Sequence, residues 1–289
     1  MPVRAGPPSP PEAATAWCEW LMADSLSNLI ASVRMPRDLE LFRRLYEFRR
    51  SHPAVDMKSF GALVSADQYR YLYEAVQRLF QPGWRVFDWG CGNGHFSYFL
   101  LRAGFRVTAF SIDGRPELLR DAESQFPGRF DYRGGSASDP VRLPATDGEF
   151  DAVCSIGVLE HVRETGGDER KSLRELRRIL KPGGPLLVYH FPNRGSWIEA
   201  AARTLTSQYT HPYRFTEKDV RSLCRDTGFD LLRVKTYGAF PRNMWRHFRT
   251  RILNTPLAAD VFNRIDEALE RIAKPVCQNH FFVARRALS

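Results

Sequence analysis

The residues with the most chemical potential surround Asp88, in the stretch Val86 to Ser97 that reads VFDWGCGNGHFS. Gly90, Gly92 and Gly94 alternate with other residues directly after an acidic one. Glycines at that spacing let a backbone loop turn tightly and pass close to a ligand, where the first N–H groups of the following helix are free. That is the chemistry of a nucleotide-like cofactor site. Asp88, at the strand end under the loop, can orient the loop backbone or face a cationic group. A second carboxylate, Asp113, closes FSIDG. It stands where it can hold both hydroxyls of a ribose or cap the turn at Gly114 and Pro116.

Imidazoles supply the next set of candidates. His161 lies in VLEHV after a strong strand and, as an imidazole, is a candidate general base. The alternative is a histidine hydrogen-bonded into a structural corner. His190 ends another strand in YHFPN and is a candidate acceptor contact, against the alternative of a satisfied strand-end histidine. Tyr209, His211 and Tyr213 stand in QYTHPYRF, just before a helix, as acceptor contacts or as a surface turn set by Pro212.

These groups need a scaffold, and the chain alternates in the required way. Strands are predicted over Trp84 to Asp88, Arg106 to Ile112, Phe130 to Gly134, Phe150 to Ile156 and Leu186 to His190. Helices are predicted between them over His95 to Ala103, Pro116 to Gln125 and Glu169 to Leu180. Strands alternating with helices imply a parallel sheet covered on both faces, with ligands beyond the carboxyl ends of the strands. A helix over Glu217 to Thr227 and strands over Phe229 to Tyr237 and Asn279 to Arg285 follow. Residues 238–278 between those strands are far too many for a simple hairpin and read as an insertion. It carries the basic-aromatic segment FPRNMWRHFRTR (240–251), then an amphipathic helix with Val261, Phe262, Ile265, Leu269 and Ile272 on one side. Ahead of the sheet, Ala13 to Val33, Leu39 to Arg50 and Asp67 to Phe80 read as helices. The division is a proline-rich tail (1–12), a helical cap (13–80) and a main domain (81–289).

Composition sets the outer bounds. The 289 residues are 43% hydrophobic and 26% charged, ordinary for a globular protein. Apolar runs are strand-sized, short of a membrane span, and the first residues lack the apolar core of a signal peptide. Five scattered cysteines without a CxxC pair argue against a zinc site and a disulfide framework, so a reducing cytoplasm is the expected compartment. The net charge of +9 arises almost wholly in residues 186–289. It marks either an anionic partner or a solvated basic face.

Taken together, VFDWGCGNG, FSIDG, LPATDGEFDAVCSIGVLEHV and LRELRRILKPGG resemble class I S-adenosylmethionine-dependent methyltransferases of the small-molecule branch that includes ubiquinone-biosynthesis-type enzymes. The resemblance spans roughly Trp84 to His190. It implies an α/β, Rossmann-like, doubly wound, mostly parallel seven-stranded sheet whose last strand is antiparallel. It implies S-adenosyl-L-methionine as cofactor, with Gly90, Cys91 and Gly92 approaching its methionine part, Asp88 near its ammonium or the loop, and Asp113 with Gly114 at the ribose. Alignment on Gly134-Gly135 puts Ser136 and Ala137 where the family usually carries an acidic residue and an apolar one at the adenine; Asp139, nearby, is the alternative acid. Ile156 and Gly157 would flank the reactive end. In the resembling family the loop containing Tyr209, His211 and Tyr213 often closes over the acceptor. Metal-using members carry a Glu three residues before the Glu-His pair. Gly157 stands there, so no metal is expected.

The leading functional expectation is O-methylation of a small-molecule acceptor in a biosynthetic pathway. The alternatives are a nucleic-acid methyltransferase, or an N- or C-methyltransferase of a lipid-like or anionic metabolite. The Asp/Asn-Pro-Pro-aromatic motif of amino-methylating nucleic-acid enzymes is replaced by Gly157-Val158-Leu159-Glu160-His161, which disfavours nucleic acid. Residues 240–251 read as a lid, a peripheral membrane or anionic-surface contact, or packing against the N-terminal helices or a second copy in a homodimer.

Overall fold

The computed structural model describes residues 38–136, 138–205, 210–242 and 254–288. Its centre is a seven-stranded sheet in the order β3-β2-β1-β4-β5-β7-β6. The strands are β1 (Arg85–Trp89), β2 (Arg106–Ser111), β3 (Phe130–Gly134), β4 (Ala152–Ile156), β5 (Pro185–Pro192), β6 (Phe229–Tyr237) and β7 (Asn279–Arg286). The first five run parallel, and β7 pairs antiparallel with both β5 and β6. The parallel part is the sheet expected from the alternation of strands and helices, and the seven strands with an antiparallel last one are what the resemblance implies.

Seven helices are labelled here: α1 (Leu39–Ser51), α2 (Arg70–Leu79), α3 (His95–Arg102), α4 (Glu169–Ile179), α5 (Trp197–Leu205), α6 (Glu217–Asp226) and α7 (Pro256–Ile272). Local chemistry starts several of them. The carboxylates of Asp38 and Asp168 accept N–H bonds in the first turns of α1 and α4, and Thr216 with Asp219 closes a reciprocal capping box on α6. The helix predicted over Pro116 to Gln125 is instead two short pieces, Glu117–Leu119 and Ala122–Gln125.

Side chains alternate across each strand. Val86, Cys154, Leu187 and Tyr189 enter one apolar layer; Phe87, Val153, Leu186 and Val188 enter the other. The first layer also holds Leu45, Met57, Phe60 and Leu72, so the helices ahead of β1 share a core with the sheet. That packing brings Tyr69, just before α2, over the carboxyl edge of the sheet.

Helix α7 reverses the expected orientation. Val261 and Ile265 are half exposed and Ile272 is 83% exposed, whereas Asn263, Asp266 and Glu270 are buried. The cause is a pair of arginines, Arg242 buried and Arg70 partly buried. Arg242 is 5% exposed and donates to Asp266 Oδ2 from Nε (3.1 Å) and Nη2 (2.5 Å), and to Asn263 Oδ1 from Nη1 (2.7 Å). Arg70 reaches Asp266, Glu267 and Glu270 at 3.4–3.5 Å. Buried guanidinium groups need anionic partners, and that requirement outweighs the burial of α7's apolar stripe. Ala13 to Val33 and residues 243–253, the bulk of the basic-aromatic segment, lie outside the described residues.

Candidate functional site

The site forms at the carboxyl ends of β1, β2, β4 and β5, where the strand order turns about β1 and β4. Gly90, Gly92 and Gly94 have φ of +71°, +49° and +84°. Each is a left-handed conformation that L side chains rarely adopt. The Cys91 N–H donates to the Phe110 carbonyl (2.8 Å) and the Gly94 N–H to the Cys91 carbonyl (2.8 Å), which closes the loop onto β2. Burial pushes the Cys91 thiol up, so it contributes packing and its backbone.

Beneath the loop, Asp88 is 1% exposed. Its Oδ2 accepts from Ser97 Oγ at 2.5 Å, and its Oδ1 is buried with no hydrogen-bond partner. Burial pushes the carboxyl up to about 7, partly offset by Ser97. An unpartnered buried carboxylate oxygen fits a cationic ligand that supplies the missing donor. The expected result is a pH-dependent affinity. A cation binds the ionised carboxylate, so cofactor affinity should fall roughly tenfold per unit as pH drops below about 7 and level off above it. Asp88→Asn should flatten that dependence in calorimetric titrations run from pH 5.5 to 8.5.

Asp113 follows β2 on an exposed turn, its N–H bonded to Ser111 Oγ (3.0 Å) and its carboxylate without a hydrogen bond or ion pair among the described residues. Gly114, at φ +97°, leaves the neighbouring space open. The loop geometry, the orphaned Asp88 oxygen and the unpaired Asp113 together fit a cofactor with a cationic end and a ribose. Ser136 is exposed and bonds Ser138 (Oγ–Oγ 2.7 Å); Asp139 Oδ1 accepts the Arg142 N–H (3.2 Å) within the same loop. Ala137 lies outside the described residues. Ile156 ends β4, and Gly157 turns away from it at φ +71° with its N–H on the Tyr189 carbonyl.

The remaining candidates fall into two groups. His190 sits at an irregularity in the β5–β7 pairing and has φ +63°, the left-handed strain of a non-glycine residue. Its Nδ1 is 2.9 Å from Tyr237 Oη, and its ring packs edge-on against Tyr69 at 5.2 Å. Tyr69 in turn lies 4.5 Å from the ring of His95. Burial lowers both histidines to about 3, so they are neutral at physiological pH. The second group is His161, His211 and the buried Glu160. The two imidazoles lie 5.4 Å apart; His161 Nδ1 contacts Glu164 Oε1 (3.0 Å) and His211 Nδ1 contacts Glu199 Oε1 (2.9 Å). Glu160 Oε2 is buried without a partner, and burial pushes that carboxyl up to about 8.

Tyr213 does not join either group. It packs under the Arg163 guanidinium (4.8 Å) in an outer cleft with Arg170, Arg194 and Arg214. Tyr209 lies outside the described residues. Sequence reasoning missed Tyr69, His95, Tyr237 and Glu199. His95 carried a signal, since it directly follows Gly94 at the head of α3; the others become neighbours only through packing.

Residues 87–188 match the family model described as a methyltransferase domain. This stretch is a methyltransferase domain. A ubiquinone biosynthesis O-methyltransferase of Xanthomonas oryzae pv. oryzae is 41% identical over 116 residues, covering 38% of this chain and 44% of that protein. The chain thus matches less than half the length of that relative. Among solved structures, the [4+2]-cyclase SpnF superposes with a TM-score of 0.51 at 20% identity, over 78% of this chain and 82% of that one. A Galdieria sulphuraria protein assigned as a sarcosine dimethylglycine methyltransferase does so with a TM-score of 0.54 at 16% identity, over 86% and 99%. At those identities the likeness is one of fold, and a cyclase beside a methyltransferase shows that this fold hosts different reactions. The match over 87–188 bears out the resemblance read from the glycine loop and its neighbours, with S-adenosylmethionine as the domain's cofactor. Among the described residues, no helix is long and apolar enough to cross a membrane.

Proposed function

We propose that this chain transfers the methyl group of S-adenosylmethionine to a hydroxyl oxygen of a small-molecule acceptor. The acceptor oxygen forms a bond to the methyl carbon as the carbon–sulfur bond breaks. The bonding pair returns to sulfur, leaving a neutral thioether, and the hydroxyl proton leaves the oxygen. Such a displacement depends chiefly on holding donor and acceptor close and in line. The observation that carries the reading is the buried, unpartnered Asp88 oxygen beneath the left-handed glycine loop, with the unpaired Asp113 beyond it. The quinone-pathway relative supports oxygen as the methylated atom. In this reading Asp88, Gly90, Cys91, Gly92, Asp113 and Gly114 hold the cofactor, and Ser136, Asp139, Ile156 and Gly157 border it. His190, neutral and fixed by Tyr237, lines the acceptor pocket with Tyr69 and His95, and His161 handles the acceptor's proton with His211 beside it.

Incubation with methyl-labelled S-adenosylmethionine and a cell extract, followed by mass identification of the labelled product, tests the reaction class. A labelled small molecule with its methyl on oxygen is the expected result. Label in RNA, DNA or nitrogen would replace this reading. With the acceptor in hand, His161→Ala should lower kcat by about 10²- to 10⁴-fold with the cofactor's KM unchanged. Full turnover by that variant would remove His161 from the chemistry.

A further inference from the structure

The outer cleft beside Tyr213 gathers four guanidinium groups. Arg163, Arg170, Arg194 and Arg214 line a cavity of about 390 Å³ together with Tyr213 and Asp219. Three of the four have a carboxylate partner. Arg163 Nε lies 2.8 Å from Glu169 Oε1, Arg170 Nη2 3.2 Å from Asp226 Oδ2, and Arg194 Nη2 3.3 Å from Asp219 Oδ2. Arg194 also donates from Nε to the Arg214 carbonyl at 3.3 Å. Those contacts use only some of the N–H donors on each guanidinium. The three side chains are 41%, 43% and 61% exposed, so the remaining donors are open to a ligand from solvent. The fourth, Arg214, has no side-chain hydrogen bond or ion pair among the described residues. Its charge is felt by Glu199. Both oxygens of that carboxylate are nevertheless engaged by His211, at 2.9 Å from the ring and 3.0 Å from the backbone N–H.

We propose that this cleft binds the phosphate group of a soluble small molecule. Asp219 is the one carboxylate among its lining residues, against four guanidinium groups. Repulsion among those groups is relieved when an anion enters. The supply of donors selects the anion. A single guanidinium fork satisfies the two oxygens of a carboxylate, whereas a phosphate monoester offers three oxygens and close to two charges, and so suits several forks at once. The Tyr213 ring backs the Arg163 guanidinium at 4.8 Å, which holds part of the site in place before a ligand arrives. The cavity is of the size that receives small molecules. Its apolar wall, Phe215 and Leu223, is buried in the core beneath the sheet and offers a bilayer nothing to hold. The position is also informative. Arg163 stands on the turn Leu159–Thr165 that carries His161, and Arg214 follows three residues after His211. A phosphate bridging these two arginines ties together the segments that bring the two imidazoles side by side. The cleft shares no residue with the Asp88–Asp113 cradle, so the proposal stands apart from the methyl-transfer reading.

Calorimetric titration of the full-length chain with inorganic pyrophosphate, phenyl phosphate and acetate in low-salt buffer tests this. Pyrophosphate and phenyl phosphate should each bind saturably at one equivalent and weaken as salt is added, with acetate much weaker. Arg214→Gln should weaken phosphate binding about tenfold or more, and Arg194→Gln less, while both variants melt as the parent does and keep its affinity for S-adenosylmethionine. Arg120→Gln, which removes an exposed arginine outside the cleft, should change nothing. No saturable binding of either phosphate probe would overturn the proposal, and so would unchanged affinity in a folded Arg214→Gln protein. Arg214-dependent attachment to phosphatidylglycerol vesicles or to an RNA oligonucleotide, without binding of the soluble probes, would also overturn it and assign the cleft to a lipid surface or a nucleic acid. A protein that binds phenyl phosphate through Arg214 but transfers no methyl group would keep this site and lose the proposed function.

Discussion

Gly90→Ala should bind S-adenosylmethionine at least about 100-fold more weakly than the parent, a loss of some 3 kcal/mol or more in binding free energy. Two independent costs fall on this one methyl group. The φ of +71° is strained for alanine by about 1–2 kcal/mol. A Cβ at Gly90 would also meet Val158 Cγ2 at 2.4 Å and Cγ1 at 2.8 Å, so either the loop or the corner after β4 must move. In the proposed reading both border the cofactor, so either shift should spoil the site. Adding Val158→Ala to the Gly90→Ala protein should recover part of the loss by removing the clashing methyls, leaving the backbone strain; a double-mutant cycle reads this coupling directly. Gly92→Ala provides the contrast. Its Cβ would meet only the Gly90 carbonyl, at 3.9 Å, so the empty protein should tolerate it better while the approach to the ligand is narrowed. Calorimetry on the three variants, beside their melting curves, separates the effects. A Gly90→Ala protein with the parent's affinity would show that the cofactor does not rest on this loop.

Asp266→Ala carries the largest expected stability loss, about 3–5 kcal/mol, because it leaves the buried Arg242 without its counter-charge. Burial already lowers the Arg242 guanidinium below its ordinary value, opposed by Asp266. Asp266 Oδ1 also accepts the N–H groups of Ala239 (3.0 Å) and Phe240 (3.1 Å), which tie the end of β6 to α7. The melting temperature should therefore fall by on the order of 10 °C, measured by differential scanning calorimetry. Asp266→Asn keeps part of the hydrogen bonding and should fall less. The pairing of Asp266→Ala with Arg242→Met, which removes the orphaned charge, should recover part of the loss. A change of less than about 2 °C in Asp266→Ala would mean that the ion pair is not buried as described.

The legibility of this protein follows the range of its interactions. The glycine loop was readable because turn chemistry is local: left-handed φ at Gly90, Gly92 and Gly94 is a property of three residues and their spacing. The strands were readable to within a few residues because their alternation is local too, and Phe229–Tyr237 matches its predicted range. Helix α7 shows where that logic stops. Val261, Ile265 and Ile272 form a good apolar stripe, yet they face outward because Arg70, far away in sequence, and Arg242, earlier in the same insertion, need Asp266 and Glu270 inside. The His161 group was half legible. Glu160-His161 stood out as a motif, but His211 reaches it only when Glu199 fixes the loop, and no spacing rule connects those residues. Likewise the strained backbone of His190 belongs to an irregularity in strand pairing that side-chain identity does not encode.

In the proposed function, Val86 to Ser97 with Asp113 cradles a sulfonium cofactor. Isothermal titration of the full-length protein with S-adenosylmethionine, and separately with NAD, tests it most directly. One equivalent of S-adenosylmethionine should bind, NAD should give no heat, and Asp113→Ala should weaken the S-adenosylmethionine affinity about 10- to 100-fold through loss of charge-assisted ribose hydrogen bonds. Binding of NAD in preference, or no binding of S-adenosylmethionine by a folded protein, would contradict the account.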